Sequence, residues 1–534
     1  MLFTSYGFII FIALLFIFYY MIPERHQWKL LLGASYLFYY FANPKFILYI
    51  SLTTISTYFV GCEIGDLYNV QSRHLARHKD KLTREEKKDY KSSIKSRQWK
   101  WLLFCMILNF GILAVVKYTN FAISNINYIY RSFGSERQFS FWNLILPMGI
   151  SFYTFQTMGY IIDVYRGKHP PERNIFKLAL FVSFFPQLVQ GPISRFDDLS
   201  QTLFVEHPYS GNNVNSGLQR IIWGYFKKLV IADRMLVAVN AIIRNPDIYQ
   251  GAFVFIGMLF YAYQLYADFT GGIDITIGIA QVLGIKVREN FERPYFSKSI
   301  TEYWRRWHIS MGTWFRDYVF YPISVSRPML NLSKYSRQRF GNAVGRRIPV
   351  YVATIIVWFT TGVWHGAGWN FIVWGLMNGI VIIISLEFEP FYKWFHNKFD
   401  VKHTFLFRLF QVVRTVLLMS CLRLFDCYRD VPMTFRMFST MFTRFNAGEL
   451  FSGTLMDLDL KMADYIVLLV GLVILVTVSL IQRDGSVRHK IAERPTVMRY
   501  TVNSLAYYVL IIAILVFGAY GVGYDPSQFI YNQF

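Results

Sequence analysis

Carboxylates are scarce in this sequence. Only 33 Asp and Glu stand among 534 residues, against 55 Lys and Arg, and charged residues of both signs make up 16% of the chain. A soluble domain carries roughly a quarter charged residues, so the shortfall excludes an ordinary water-soluble enzyme. Cysteine is equally sparse. Cys62, Cys105, Cys421 and Cys427 show no CxxC spacing, which implies neither a disulfide framework nor a zinc site. Cys62, at a membrane edge, is either a small apolar residue or an acylation site. The sequence also lacks a P-loop, a GxSxG elbow, a GxGxxG loop and HExxH. Those absences leave nucleotide-driven transport, serine-elbow hydrolysis, dinucleotide chemistry and zinc-protease chemistry without support. Eight of the ten histidines, His26, His74, His78, His169, His207, His396, His403 and His489, lie in or beside polar connections without ligand spacing. No metal is expected.

Apolar residues supply what charge does not, at 54% hydrophobic and 19% aromatic. Runs long enough to cross roughly 30 Å of hydrocarbon recur near 5–23, 28–42, 46–61, 101–122, 142–162, 176–193, 252–268, 349–386, 405–422, 463–482 and 503–522. The reading is an all-α polytopic membrane protein of about ten to twelve spans. The first run has no positive leader and no small-residue cleavage site, so it reads as a retained span. Net charge is +22, and its placement argues against nucleic acid: it gathers in connections at 73–100, 286–347, 387–404 and 483–500. Short basic connections face the cytoplasm, where they serve topology and anionic lipid or meet a phosphate-bearing ligand. Three spans precede the 73–100 loop and one follows 483–500, which places both termini on the extracytoplasmic side.

Two stretches carry chemistry. In 288-RENFERPYFSKSITEYWRRWHISMGTWFRDYVFY-321, aromatics interleave with Arg305, Arg306, His308, Arg316 and Asp317. The block is too polar to span and too aromatic to float free, which suits helices lying in the cytoplasmic interface. In 361-TGVWHGAGWNFIVWG-375, His365 lies between two apolar arms, 349–362 and 370–386, whose outer ends both meet basic segments. The chain must therefore enter and return, with WHGAG deep in the membrane or at its far side. Gly362, Gly366 and Gly368 allow close backbone approach there. A histidine in such a turn is costly unless it has work or a partner.

RPYFSKSITEYWRRWHISMGTWFRDYVFYPISVS followed by TGVWHGAGWNFIVWG resembles the signature of the membrane-bound O-acyltransferase (MBOAT) superfamily, in its alginate O-acetyltransferase-like branch. The stretches 147-PMGISFYTFQTMGYIIDVYRG-167, 191-GPISR-195, 226-FKKLVIADR-234 and 264-QLYADFTGGIDITIGIAQVLG-284 fit the same pattern. The likeness implies one integral-membrane domain over 1–534, with N-terminal spans in 1–122, a core at about 140–425 and C-terminal spans in 426–534. It implies a ring of helices around a thin centre, where a cytosolic acyl donor meets an outside hydroxyl acceptor. One departure falls at DFTGGID, where Gly271 and Gly272 replace the bulkier residues of alginate-type members.

The resemblance makes His365 the base that takes the hydroxyl proton, a task suited to imidazole near neutral pH. His308 becomes the second catalytic histidine, and Asp268 either a packing carboxylate satisfied by hydroxyls and tyrosines or an orienting group. Trp304, Arg305 and Arg306 line the donor or support the site; each arginine either binds donor phosphates or anchors at the interface. The tail 524-YDPSQFIYNQF-534 ends like alginate-type members, so Tyr531 orients the acceptor or relays the acyl group, or else the tail merely covers apolar surface. The implied setting is a bacterial inner or plasma membrane, with acetyl-CoA as donor substrate, no bound cofactor, a polysaccharide acceptor and an extracytoplasmic acetyltransferase partner. Two alternatives stay open: D-alanyl transfer to teichoic acid, and an ion-coupled transporter, since intramembrane Asp and His also mark ion paths.

Overall fold

The computed structural model describes residues 3–484 and 496–520. Among them the structure is helical, and the one β-type feature is an isolated antiparallel bridge between Phe291 and Trp307. The chain divides into two compact units, one of residues 3–214 with 280–288, the other of 215–279 with 289 onward.

The first unit holds α1 (Tyr6–Met21), α2 (Gln27–Ala42), α3 (Phe46–Arg77), α4 (Arg84–Ser132), α5 (Ile150–Arg166), α6 (Ile175–Ser183), α7 (Phe185–Gln190) and α8 (Phe196–Leu203). A reciprocal cap starts α4: the Glu86 amide donates to Thr83 Oγ1 at 3.2 Å, and the Thr83 amide to Glu86 Oε2 at 2.7 Å, satisfying amides that the first turn otherwise orphans. Its 49 residues make a rod of about 74 Å. The chain then runs non-helically from 135 to 147, strapped to α4 by two asparagines. Asn127 exchanges hydrogen bonds with the backbone of Phe139 (2.9 and 2.7 Å), and Asn120 with that of Trp142 (2.9 and 2.9 Å).

Two expected spans are corrected here. The 142–162 run becomes helical only at Ile150, after Gly149 turns the chain at φ 69°. A side chain at Gly149 would put its Cβ 2.3 Å from the Leu188 carbonyl. The 176–193 run breaks at Phe184–Pro186 into helices of 9 and 6 residues, about 14 and 9 Å long. Proline favours the start of a helix and opposes its interior, so an unbroken apolar stretch does not give one crossing.

The second unit holds α9 (Gly211–Tyr225), a π-helical turn over Phe226–Ala232, α10 (Asp233–Arg244), α11 (Ala252–Val282), α12 (Ile300–Arg306), α13 (Ile309–Phe315), a second π-helical turn over Arg316–Phe320, α14 (Tyr321–Ser324), α15 (Arg327–Gly345), α16 (Ile348–His365), α17 (Trp369–Glu387), α18 (Glu389–Lys398), α19 (Phe405–Tyr428), α20 (Val431–Thr443), α21 (Met462–Ile481) and α22 (Thr496–Phe517). Among the described residues seven helices are long and apolar enough to cross a membrane, namely α3, α4, α11, α16, α17, α19 and α21, and α1 with residues 501–517 are shorter apolar helices. The chain is thus an all-α, multi-pass membrane protein.

Glycines set the helix crossings. A Cβ at Gly224 would lie 2.6 Å from the Gly271 carbonyl oxygen, and one at Gly278 would lie 2.8 Å from that of Gly217. The two contacts recur seven residues apart on α9 and α11 and in opposite chain directions, so the helices cross antiparallel with backbones touching. Gly271, the departure noted in DFTGGID, is therefore a packing position. In the α16–α17 hairpin a Cβ at Gly375 would meet the Trp358 carbonyl at 2.3 Å, and one at Gly362 would meet that of Phe371 at 2.5 Å. The arms have 18 and 19 residues, about 27 Å each, and the three-residue turn 366–368 returns the chain as expected.

Candidate active site

The interfacial block folds as short pieces, α12, α13 and α14, none longer than 7 residues, in keeping with its polarity. At the α12–α13 junction His308 adopts φ 49°, ψ 55°, a left-handed conformation that side chains other than glycine seldom take. Asn290 holds it there. The Ile309 amide donates to the Asn290 carbonyl (2.9 Å) and the Ser310 amide to Asn290 Oδ1 (3.0 Å), while the Glu292 amide donates to the Arg306 carbonyl (2.9 Å). That clamp drives the imidazole inward, where it is 1% exposed.

His308 lies edge-on to Phe269 of α11, ring centres 5.1 Å apart, and to Trp364 of α16 at 6.0 Å. Trp364 in turn meets His365 at 5.1 Å. The two histidines are thus brought together with one indole between them. Burial, and then the nearby Arg423 guanidinium, push the His308 pKa down from 6.5 to about 3, because a dry site and a like charge both disfavour the imidazolium. His308 is a neutral imidazole at physiological pH. His365, last residue of α16, is only partly buried and packs edge-on to Trp374 of α17 at 4.6 Å.

Behind these rings lies a group the sequence reading did not single out. Arg423 of α19 is 5% exposed and Asp426 is 4% exposed, and Arg423 Nη1 donates to Asp426 Oδ2 at 2.7 Å. The guanidinium sits 5.1 Å from the rings of Trp307 and Trp374 and 5.7 Å from that of Trp304, a cation enclosed by aromatic faces. Trp304 packs on Trp374 at 5.8 Å and on Trp358 at 4.8 Å. The signal was present: CLRLFDCY sets an Arg and an Asp three apart at the end of an apolar run, and paired charges in such a place mark function.

Asp268 is fully buried and ion-paired with Lys228 (2.7 Å), which also meets Asp233 at 2.6 Å. The fold brings an ammonium to this carboxylate. Next to it Lys227 reaches Asp274 (2.5 Å), and Arg220 joins Asp274 (2.8 Å) to Glu289 (2.5 Å). Both lysines ride on the π-helical turn after α9, whose wider register brings neighbours in sequence to separate carboxylates; such turns concentrate at functional sites. The motifs 226–234 and 264–284 therefore act in part by pairing charge inside the unit.

Of the remaining residues, Trp304 joins the aromatic cluster. Arg305 is exposed, and Arg306 pairs with Glu302 one turn back at 2.7 Å. Tyr531 and the tail lie outside the described residues.

The family model for membrane-bound O-acyltransferases matches residues 172–337. The "Probable alginate O-acetylase AlgI" of Azotobacter vinelandii is 34% identical over 386 residues, covering 72% of this chain and 68% of that protein. The peptidoglycan O-acetyltransferase of Helicobacter pylori is 30% identical over 68% of this chain and 65% of its own length. The teichoic acid D-alanyltransferase of Bacillus subtilis is 29% identical over 47% of this chain and 62% of its own length. With helices of span length, a paired-histidine site and relatives matched over most of its length, the chain belongs to the membrane-bound O-acyltransferase family and is an O-acyltransferase.

Proposed function

We propose that this protein passes acetyl groups from a cytosolic thioester, acetyl-CoA, to hydroxyls of an extracytoplasmic polysaccharide, either directly or through an extracytoplasmic acetyltransferase partner. The observation that carries the reading is the unequal pair of histidines. A base must be reachable by the acceptor and must gain a proton near neutral pH. His365 is partly exposed at the end of α16, with its Nε2 covered. His308 is buried and held neutral, so it orients rings and reactants without trading protons. The acceptor hydroxyl gives its proton to His365 as its oxygen attacks the acyl carbon, and the thiolate then leaves carrying that proton. In this reading Arg305, which is exposed, meets donor phosphates from the cytosol.

The relatives favour acetyl over D-alanyl transfer, since likeness to the O-acetylating proteins runs over 68–72% of this chain and to the D-alanyl enzyme over 47%. Transport is the other reading that intramembrane charge suggests, and the fold pairs that charge in ion networks. The deciding experiment is acyl transfer by purified protein in lipid. His365→Ala should insert and melt like the parent yet lose a factor of about 10² to 10⁴ in turnover. A well-folded variant with parental turnover would remove His365 from the chemistry, and solute flux without acyl turnover would favour the transporter.

A further inference from the structure

Among the hydrogen-bond donors of the second unit that are buried without an acceptor among the described residues, three share one cluster: the indole Nε1–H of Trp304, the indole Nε1–H of Trp374 and the Nε–H of Arg423. They do not lie scattered. Trp304 and Trp374 are in ring contact, and Arg423 packs against both. Arg423 spends Nη1 on Asp426 and also hydrogen-bonds Tyr303, while its Nε–H is left without an acceptor among the described residues. Buried donors without partners are costly and uncommon, and each calls for an explanation. Here the cluster begins at Trp374, whose ring lies 4.6 Å from that of His365.

We propose that Trp304, Trp374 and Arg423 form a binding subsite for the carbonyl oxygen of the acyl thioester, and that they stabilise the charge this oxygen gains during transfer. The inference rests on the acyl-transfer reading above. As the acceptor oxygen bonds to the acyl carbon, its proton moves to the imidazole of His365 and the carbonyl π pair moves onto oxygen. The resulting oxyanion takes the three donors. Collapse restores the C=O bond and breaks the C–S bond, and the departing thiolate recovers the proton from the imidazolium, so every proton and electron pair is accounted for. Fixed donors in a water-poor site suit this task because they need no reorganisation as charge develops. The Arg423–Asp426 pair carries no net charge, which suits a group that binds a neutral carbonyl first and an oxyanion only in passing.

The test uses two unreactive donor analogues, S-acetonyl-CoA, which keeps a carbonyl, and S-propyl-CoA, which replaces it with a methylene. The parent protein should bind the ketone roughly tenfold more tightly. Trp374→Phe and Trp304→Phe each keep an aromatic ring and delete one N–H. Each should bring that ratio toward one with little change in S-propyl-CoA binding, and should lower kcat by about tenfold or more with KM for the donor nearly unmoved. If folded variants keep the parental ratio, or lose both analogues alike, the residues only pack and the subsite is wrong. Should neither analogue bind the parent protein, the coenzyme A donor reading beneath the inference fails first.

Discussion

At His308 the backbone is held where few side chains settle, and the ring is held where few imidazoles can take a proton. The two facts share a cause: Asn290 fixes the turn that points the ring into the cluster. Stability should record it. With an unfolded pKa of 6.5 and a folded value near 3, the unfolded chain binds the extra proton in between. The contribution of His308 is therefore complete above pH 6.5 and is lost as pH falls from there toward 3, at about 1.4 kcal/mol per unit. Melting in detergent from pH 7 to 4.5 should fall less steeply for His308→Gln than for the parent. Identical slopes would mean that His308 is free to protonate in the folded protein. His308→Gln should leave the shape of the pH–activity profile unmoved, because a ring held neutral in the folded protein gains no proton there above pH 4.5.

Among the elements, the sequence revealed the ones that follow from uninterrupted hydropathy. The helices α3, α4, α16, α17, α19 and α21 were legible because each is a single apolar run. The runs at 142–162 and 176–193 misled because apolar content does not report a left-handed glycine or a helix restarted at Pro186. The site was legible in halves. His365, His308 and Trp304 came from motif residues, whereas Arg423 and Trp374 join them only through α17 and α19, contacts no local pattern encodes. Lys228 escaped notice because a lysine in FKKLVIADR looks solvated until a π-helical turn aims it at Asp233 and Asp268. The α9–α11 crossing gives the sharpest check at this scale. Gly224→Ala must push backbone from backbone and should cost about 1–3 kcal/mol, whereas Gly111→Ala on α4, where nothing lies within 4 Å, should be neutral or mildly stabilising. Equal melting temperatures for the two would show that the crossing has slack.

For the whole molecule, the proposed function requires a cytosolic thioester and an outside polymer to use one site. The C-terminal residues Phe529, Ile530, Tyr531 and Phe534 are apolar or aromatic, with no charge after Asp525, and we propose that this tail serves the acceptor side. Truncation after Gln528 should abolish polymer acetylation in cells while thioester hydrolysis by the purified protein persists. Tyr531→Phe separates the two roles, since loss of acetylation assigns work to the phenol and normal acetylation leaves the tail a docking role alone. Normal acetylation by the truncation itself would end the proposal.

The single 49-residue α4 has a bearing on orientation. Its apolar run at 101–122 leaves about 40 Å of the rod outside that run, shared between its basic start and the asparagine strap at its end. A continuous helix cannot place both ends in one compartment while its middle crosses the bilayer. It acts as a rigid strut whose two tips report on opposite faces of the membrane. With Cys62, Cys105, Cys421 and Cys427 replaced by Ser, an impermeant maleimide on intact cells should label Tyr128→Cys and spare Lys88→Cys until the membrane is opened. The reverse pattern would turn the entire chain over, and with it the side from which the thioester enters.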